Sequence, residues 1–219
     1  MTTPNRDLLR IEFLGLTIRH EEIDLARDDM AAFFASVSDR YGLTRLEYHS
    51  DAGATFSGPD GAEYVLRPSQ MASCGVTTMG YREGVERVVG LVGEAVERYG
   101  IGDVWIEDIT LVAMWDVEDP DAARSLLVEN VLQVDEDRLD LLGGDEVTLG
   151  LRLWRRLGES SLECAIEPMH SEPGKVYIRL VQTQSEVLPD ATGLRESADA
   201  VFDFLMGPLA TFMTARARR

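Results

Sequence analysis

Acidic side chains are the most conspicuous chemical groups in this chain. Four of them lie at intervals that resemble a calcium-binding loop of twelve positions. They are Asp135, Asp137, Asp140 and Glu146. The calcium loop needs glycine at its sixth position, where this chain has Asp140, and an oxygen ligand at its fifth, where it has Leu139. The pattern therefore predicts a solvated acidic loop over residues 133–146 and no metal site.

Soft metal ligands and nucleophiles form no recognisable motif. Cys164 and His170 are the closest pair of Cys and His, but zinc sites are usually marked by two such pairs and no second pair is present. The sequence also lacks the glycine-rich motifs of nucleotide-binding loops and the G-x-S-x-G motif of hydrolases. We therefore predict no catalytic residues, no metal and no cofactor, and an enzyme is the less favoured class.

Aromatic residues supply the one candidate ligand site. Trp105, Trp115, Trp154 and Tyr177 all fall on predicted strands, where they would line a pocket between a sheet and its helices. Aromatic side chains on strands belong to the core far more often than they contact ligands. These four residues are the ligand-pocket candidates for an alternative function, binding or conversion of a small molecule.

The first elements that would position these residues follow from hydrophobic spacing. Residues 9–19 alternate as a strand, interrupted near Gly15 as at a β-bulge. Apolar residues from Met30 to Tyr41 then recur at helical spacing, and Gly42 stands where a left-handed cap is expected. Short strands separated by tight turns follow up to about Met71.

The second part of the chain shows a similar series. A helix over residues 80–99 leads to a strand from Val104 to Val117, which is apolar on both faces and is therefore expected to be covered on both. A third helix follows Pro120, and then comes the acidic loop. From Val147 apolar and polar residues alternate strictly, with Trp154 on the wet side.

A final helix closes the chain. Its apolar residues recur at helical intervals over residues 194–216. Pro208 is expected to kink or break this helix, because proline lacks the backbone donor and clashes with the preceding turn.

A short phrase in the sequence occurs twice. Residues 61–67 read GAEYVLR and residues 174–180 read GKVYIRL, and each copy follows a Pro-containing turn. The order of strand, helix and paired strands recurs around the two copies, over residues 8–72 and 103–186. We predict an α+β fold in which two similar strand-helix-strand-strand units form an antiparallel-rich sheet with helices packed on it. Residues 1–219 would form a single continuous body.

Composition limits the classes of function. The chain has 219 residues, 45% of them hydrophobic, which is enough for a substantial core. No apolar run is long enough to span a membrane, and the first residues do not resemble a secretory signal. A cytoplasmic location is therefore expected, and the two cysteines of such a chain are then expected to be reduced thiols. The formal net charge of −18 would repel a phosphate backbone, so direct nucleic-acid binding is not expected.

The segment from Gln70 to Trp115 has a recognisable order. Met79-Gly80-Tyr81-Arg82-Glu83-Gly84-Val85 begins a helix, and Tyr99-Gly100-Ile101-Gly102 leads into a long strand. Together with Phe202-Asp203-Phe204 in the closing helix, this order resembles a sporadically distributed bacterial family of about this length and of unknown function. That family's strand contains Arg and Tyr where this chain has Glu107-Asp108-Ile109-Thr110. The resemblance implies a duplicated α+β protein encoded beside a partner, and it transfers no catalytic residues.

A non-enzymatic, soluble binding or interaction protein with an acidic surface is the preferred hypothesis. The charge favours a basic protein partner over nucleic acid. One alternative is a small-molecule carrier or enzyme that uses the aromatic pocket. Another is an acidic mimic that occupies the nucleic-acid site of a second protein. A homodimer is also expected, because a second chain would cover a strand that is apolar on both faces.

Overall fold

The computed structural model describes residues 9–50, 53–76, 80–117, 120–142, 149–184, 187–188 and 192–214. The strands are β1 (Leu9–His20), β2 (Arg45–Tyr48), β3 (Ala54–Ser57), β4 (Glu63–Arg67), β5 (Gln70–Val76), β6 (Val104–Asp116), β7 (Leu151–Leu157), β8 (Ser160–Pro168), β9 (Lys175–Thr183) and β10 (Val187–Leu188). The helices are α1 (Arg27–Tyr41), α2 (Tyr81–Tyr99), α3 (Pro120–Ser125), α4 (Glu136–Asp140), α5 (Thr192–Phe204) and α6 (Ala210–Thr214). Two π-helical segments, Leu126–Leu132 and Leu205–Leu209, continue α3 and α5.

The ten strands in the described part of the chain belong to one antiparallel sheet. The strand order is β2-β3-β4-β5-β1-β6-β9-β8-β7, and the short β10 adds to one end of β6. The two longest strands, β1 and β6, lie side by side at the centre and pair along nearly their full length. Helices, a large antiparallel sheet and a C-terminal helix together confirm the predicted α+β class.

Each half of the sheet is assembled in the same order. In the first half, β1 is followed by α1, by the strands β2 to β5 and by α2. In the second half, β6 is followed by α3 and α4, by β7 to β9 and, after β10, by α5. The last long strand of each series, β5 or β9, pairs with the strand that began it.

The repeated phrase does not follow this order. Its first copy forms β4 and its second copy forms β9. Strand β4 is separated from β1 by β5, whereas β9 pairs directly with β6. The two copies therefore occupy non-equivalent positions, and the strand that the sequence pattern missed, β5, is the one equivalent to β9.

One face of the sheet carries the hydrophobic core, and we call it the covered face. The side chains that face the core stand opposite one another across all the central strands, as Leu14, Leu111 and Leu180 show in one row of the register. The helices pack on this face through apolar residues that are also buried. The fully buried large side chains of the strands include Ile18, Phe56, Ile106, Ile109, Leu111, Trp115, Ile166, Ile178 and Leu180.

The helix layer is joined to the sheet by regular amphipathic spacing. Helix α1 buries Met30, Phe33 and Val37, and it ends at a residue with φ of 63°, which glycine adopts without strain at Gly42. Helix α2 ends in the same way at Gly100. Helices α2 and α5 contact each other through an aromatic stack in which the Tyr81 and Phe202 ring centroids are 4.0 Å apart.

Several local predictions are corrected. The β-bulge in β1 lies between Ile11 and Phe13 and not at Gly15, and a second irregularity lies between Thr17 and Ile18. Residues 136–140 of the predicted acidic loop form the short helix α4, and residues 143–146 of that loop lie outside the described residues. Pro208 does not break the last helix, because the wider turns of a π-helical segment contain it and α6 continues beyond.

Candidate functional site

The face of the sheet opposite the core is the most extensive candidate surface, and we call it the open face. Along β6, the residues Val104, Ile106, Ile109, Leu111, Ala113 and Trp115 are buried, whereas the residues between them are only half-buried. The same alternation runs along β9. The expectation that β6 is covered on both faces is therefore wrong: helices cover one face, and neighbouring side chains partly shield the other.

Apolar side chains occupy the middle of the open face. Five of them form what we call the central strip: Phe13, Val112, Met114, Tyr177 and Val181. They lie on the three central strands β1, β6 and β9, where Phe13 stands opposite Val112 and Met114 stands opposite Tyr177. All five are half-buried in the described chain, so a partner placed over them would remove further apolar surface from water.

The Phe13 ring lies over a glycine in this strip. A Cβ atom built on Gly15 would be 2.9 Å from Cε1 of Phe13 and 3.6 Å from Cβ of Thr110. Gly15 therefore lets the ring lie flat along the strand. The break in apolar spacing near Gly15 marks this close contact rather than a bulge.

The open face is electrically balanced, in contrast to the chain as a whole. Its basic side chains are Arg10, Arg19, Arg45, Arg67, Arg152, Arg156, Lys175 and Arg179. Its acidic side chains are Glu12, Glu47, Glu63, Glu107, Asp108, Asp116, Glu163 and Glu167. The two sets are equal in size, so the formal charge of −18 belongs to the rest of the chain.

Ion pairs hold many of these charges in place. Glu107 accepts hydrogen bonds from the guanidinium of Arg19 and, at 2.9 Å, from the side-chain amide of Gln70. The bond from Arg19 and then the bond from Gln70 hold the pKa of Glu107 below its ordinary value. Further pairs join Arg10 to Glu12 and, across strands, Arg152 to Glu163. The face is thus polar at its rim, and several of its charges are paired with one another.

The four aromatic pocket candidates are not brought together. Trp115 lies on the covered face and is 1% exposed, whereas Trp105, Trp154 and Tyr177 lie on the open face. Trp154 and Tyr177 are separated by two strand spacings, about 10 Å, and by four residues along the strands, about 13 Å. Trp105 lies at the far end of β6 from Tyr177.

Trp105 does line a cavity of its own, at the end of the open face. The cavity has a volume of about 570 Å³, and Arg19, His20, Arg67, Ser69 and Gln70 complete its lining. His20 is 4% exposed, and its Nδ1 lies 2.7 Å from the carbonyl oxygen of Glu21, which assigns the proton to Nδ1. Its Nε2 is buried and has no hydrogen-bond partner among the described residues.

A second concave region lies on the helix side, between α1, α2 and the turn after β3. It has a volume of about 1240 Å³. Arg87 and Asp60 form an ion pair there, and their side chains are only 12% and 21% exposed. Burial opposes ionisation of Asp60, but hydrogen bonds from Arg87 and from the Ala62 N–H outweigh it and lower the pKa of Asp60. This network connects the turn after β3 to α2, and we interpret its role as structural.

The cysteines and histidines lie apart from one another. Cys74 is half-buried on the open face of β5, and Cys164 is buried on the covered face of β8, so both are free thiols. His170 is exposed in the loop before β9. Over the described ranges, no group of three His, Cys, Asp or Glu side chains is placed to hold a metal ion.

Sequence reasoning did not identify the charged half of the open face. Its signal is nevertheless present, because Arg152, Arg156 and Arg179 alternate with apolar residues along β7 and β9. The balance between acidic and basic residues depends on which strands become neighbours, and a single sequence does not contain that information.

Comparison with known proteins gives no family for this chain. No family model matches it, and no curated protein matches it. A solved structure described as crystal form I of TP0453 aligns with 90% of this chain and 97% of its own, at 8% identity and a TM-score of 0.16. This TM-score is too low to indicate a shared fold. Among the helices described, none combines the length and the hydropathy that crossing a membrane requires.

Proposed function

We propose that this chain is a non-enzymatic protein-binding protein and that its open face is the binding surface. One observation carries the proposal: a broad sheet face has a half-buried apolar strip at its centre and a balanced set of charges around it, in a chain whose net charge is −18. Protein interfaces have this anatomy, with an apolar centre depleted in charge and a polar rim. Free thiols at Cys74 and Cys164 support a cytoplasmic location as part of the proposal.

The charge distribution favours a protein over a nucleic acid as the partner. A surface that binds nucleic acid neutralises phosphates with an excess of Lys and Arg. The open face has no such excess, and the helix side is acidic. Because binding would rest on apolar burial, the affinity should depend only weakly on salt. The acidic helix side would add preference for partners with basic flanking regions.

The test is affinity capture from native lysate with the tagged full chain and two matched double variants. Met114→Glu/Tyr177→Glu places charge in the central strip. The control Leu141→Glu/Leu142→Glu replaces apolar residues that are 84% and 68% exposed outside the open face. We expect one partner to be enriched by the wild type and by the control and lost from the central-strip variant, while all three chains unfold at similar temperatures.

The same experiment can exclude the proposal. No partner above background, or a partner retained equally by the central-strip variant, would exclude the open face as the binding surface. Enrichment that disappears on nuclease treatment would identify a nucleic acid instead. For a purified partner, a more than tenfold loss of affinity between 50 and 500 mM salt would show that charge, and not the apolar strip, dominates binding.

Small-molecule binding is a second candidate, and the cavity beside Trp105 favours it. The cavity combines an aromatic ring with the polar groups of Gln70 and Arg19, which is a common composition for a ligand pocket. Native mass spectrometry of the gently purified chain tests it. Extra mass that is lost on denaturation and absent from Trp105→Ala would support it, and a clean mass of the chain alone would count against it. The same spectrum reports whether the chain is a dimer.

A further inference from the structure

The two edge strands of the sheet differ in length and in the pairing of their charged side chains. At one edge β2 has four residues, and its Arg45 and Glu47 side chains pair with each other at 2.7 Å. At the other edge β7 has seven residues. In the described part of the chain, β7 pairs only with β8, so one side of its backbone has no strand beside it. A free edge of this length is a template for an added strand.

The side chains that β7 places on the open face are exposed, and two of the three are basic. Arg152, Trp154 and Arg156 alternate on the open face, and Trp154 is 67% exposed. Arg152 lies over the Trp154 ring, with its guanidinium carbon 6.0 Å from the ring centroid, and also pairs with Glu163 at 3.4 Å. Arg156 is exposed and forms no ion pair with any described residue. An acidic chain thus presents an edge strand with unneutralised positive charge.

A second copy of the chain does not suit this edge. Pairing the whole of β7 with β7 of another copy, antiparallel and centred on Trp154, would set Arg152 opposite Arg156. Like charges directly opposite each other destabilise a strand pair. Two chains that each carry −18 would also repel one another. The occupant that fits is a strand with acidic side chains at these positions.

We infer that β7 accepts an extended acidic segment of another protein as an eleventh strand of the sheet. The backbone of the segment would pair with the free edge. On the open face, its acidic side chains would lie opposite Arg152 and Arg156, and an apolar side chain would lie opposite Trp154. This inference goes beyond the proposed function, because it rests on the edge of the sheet and does not use the central strip.

The probe is a fluorescein-labelled peptide that contains Glu-Val-Tyr-Val-Glu, titrated with the full chain and followed by anisotropy. We expect saturable binding, with less quenching of Trp154 by acrylamide as the ring becomes covered. Arg156→Glu should weaken binding about fivefold and the matched change Arg45→Glu at the other edge should not, since one cross-strand charge pair is lost only in the first. A peptide with Lys in place of Glu should prefer the Arg156→Glu chain.

Backbone pairing is tested separately from charge. The same peptide with N-methylated amides keeps its carboxylates but loses its strand donors, and it should not bind. The inference would be overturned if the N-methylated peptide bound as tightly as the unmodified one, or if the Arg156→Glu chain bound the Glu and Lys peptides equally well. The absence of any saturable binding would also overturn it. A dimer in the free chain with slow hydrogen exchange in β7 would also overturn it, because a second copy would then be the occupant. None of these outcomes depends on the central strip, which Met114→Glu/Tyr177→Glu tests.

Discussion

The two faces of the sheet use the same residue types for different purposes. The covered face has Trp115 and Cys164 among aliphatic side chains, both nearly inaccessible. The open face has Trp154 and Cys74 among charged side chains, where water reaches them. Because successive residues of a strand point to opposite faces, a shift of one position decides which purpose a residue has. Stability is therefore concentrated on one face, and the other is free to serve recognition.

The largest difference should come from removing a tryptophan from each face. Trp115→Ala should lower the free energy of unfolding by about 3–5 kcal/mol, since it leaves a cavity beside Ile178 and Met213. Trp154→Ala should change it by no more than about 0.5 kcal/mol, because the ring is exposed. Urea unfolding followed by circular dichroism measures both. Equal losses would mean that Trp154 is packed in solution, against a partner chain or a second copy.

The next largest difference should be between two ion pairs, one on each side of the sheet, in how much unfolding free energy is lost when each is broken. Arg87→Ala removes the partner of Asp60 in a mostly buried pair and should cost about 2–3 kcal/mol of unfolding free energy. Arg152→Ala breaks a pair whose side chains are 54% and 31% exposed, and should cost less than about 1 kcal/mol.

Acid gives a second measurement on the buried pair. The pKa of Asp60 is lowered in the folded chain, so its contribution to stability is present above its unfolded pKa and is lost as the pH falls. The difference between wild type and Arg87→Ala should therefore shrink in acid. A difference that stays constant down to the acid limit would show that Arg87 stabilises the fold by packing alone.

Alkaline pH should weaken the covered face. Burial raises the pKa of Cys164 to about 12, and it raises that of Tyr64 to about 12 against the opposing charge of Arg87. At a pH between its unfolded and its folded pKa, each group keeps its proton in the folded chain but loses it in the unfolded chain. The contribution of these groups to the free energy of unfolding is therefore fully present below their unfolded pKa values, and it is lost as the pH rises toward 12. The slope is about 1.4 kcal/mol per pH unit for each such group.

Variants assign this slope to residues. Tyr64→Phe and Cys164→Ala should each reduce the dependence of unfolding free energy on pH between about 9 and 11. Trp154→Ala, which removes no titrating group, should leave it unchanged. If neither variant alters the slope, other buried groups are responsible; Tyr81, whose pKa is raised by burial and then by Asp199, is the first to test.

The fold class followed from the sequence because local patterns suffice for it. The alternation along β1 and β9 and the helical spacing of α2 are strong, and the caps at Gly42 and Gly100 mark helix ends. Strand β5 was missed because it contains few large apolar residues. Its pairing with β1 stabilises it as a strand although its composition does not favour one. The π-helical turns around Pro208 were missed because they depend on the packing of neighbouring helices.

The candidate site was much less predictable. Four aromatic residues were grouped by type, but strand parity places Trp115 on the opposite face, and strand order separates Trp154 from Tyr177. Simple parity would place Trp105 and Trp115 on the same face of β6, because ten positions separate them. The irregularity in the pairing with β1, between Ile106 and Ile109, moves them to opposite faces, and the sequence does not show it. The exposed side of β7, where Trp154 lies, could be read from the sequence. Strand order could not, because it is set by contacts between residues that are distant in the chain.

The smallest effect on stability, and the most direct report on the open face, should come from labelling the two thiols. Cys74 is half-buried beside Glu63, and burial followed by the Glu63 charge raises its pKa, so it should react slowly with a maleimide at neutral pH and faster as the pH rises. Cys164 should react only when the chain unfolds. Mass spectrometry of digested samples counts both modifications, with Cys74→Ser as the control. A partner seated on the open face should slow the Cys74 reaction without changing Cys164, whereas a partner bound to the helix side should leave both rates unchanged. Rapid labelling of Cys164 in the folded chain would instead show that the covered face opens, and the contrast between the two faces would fail.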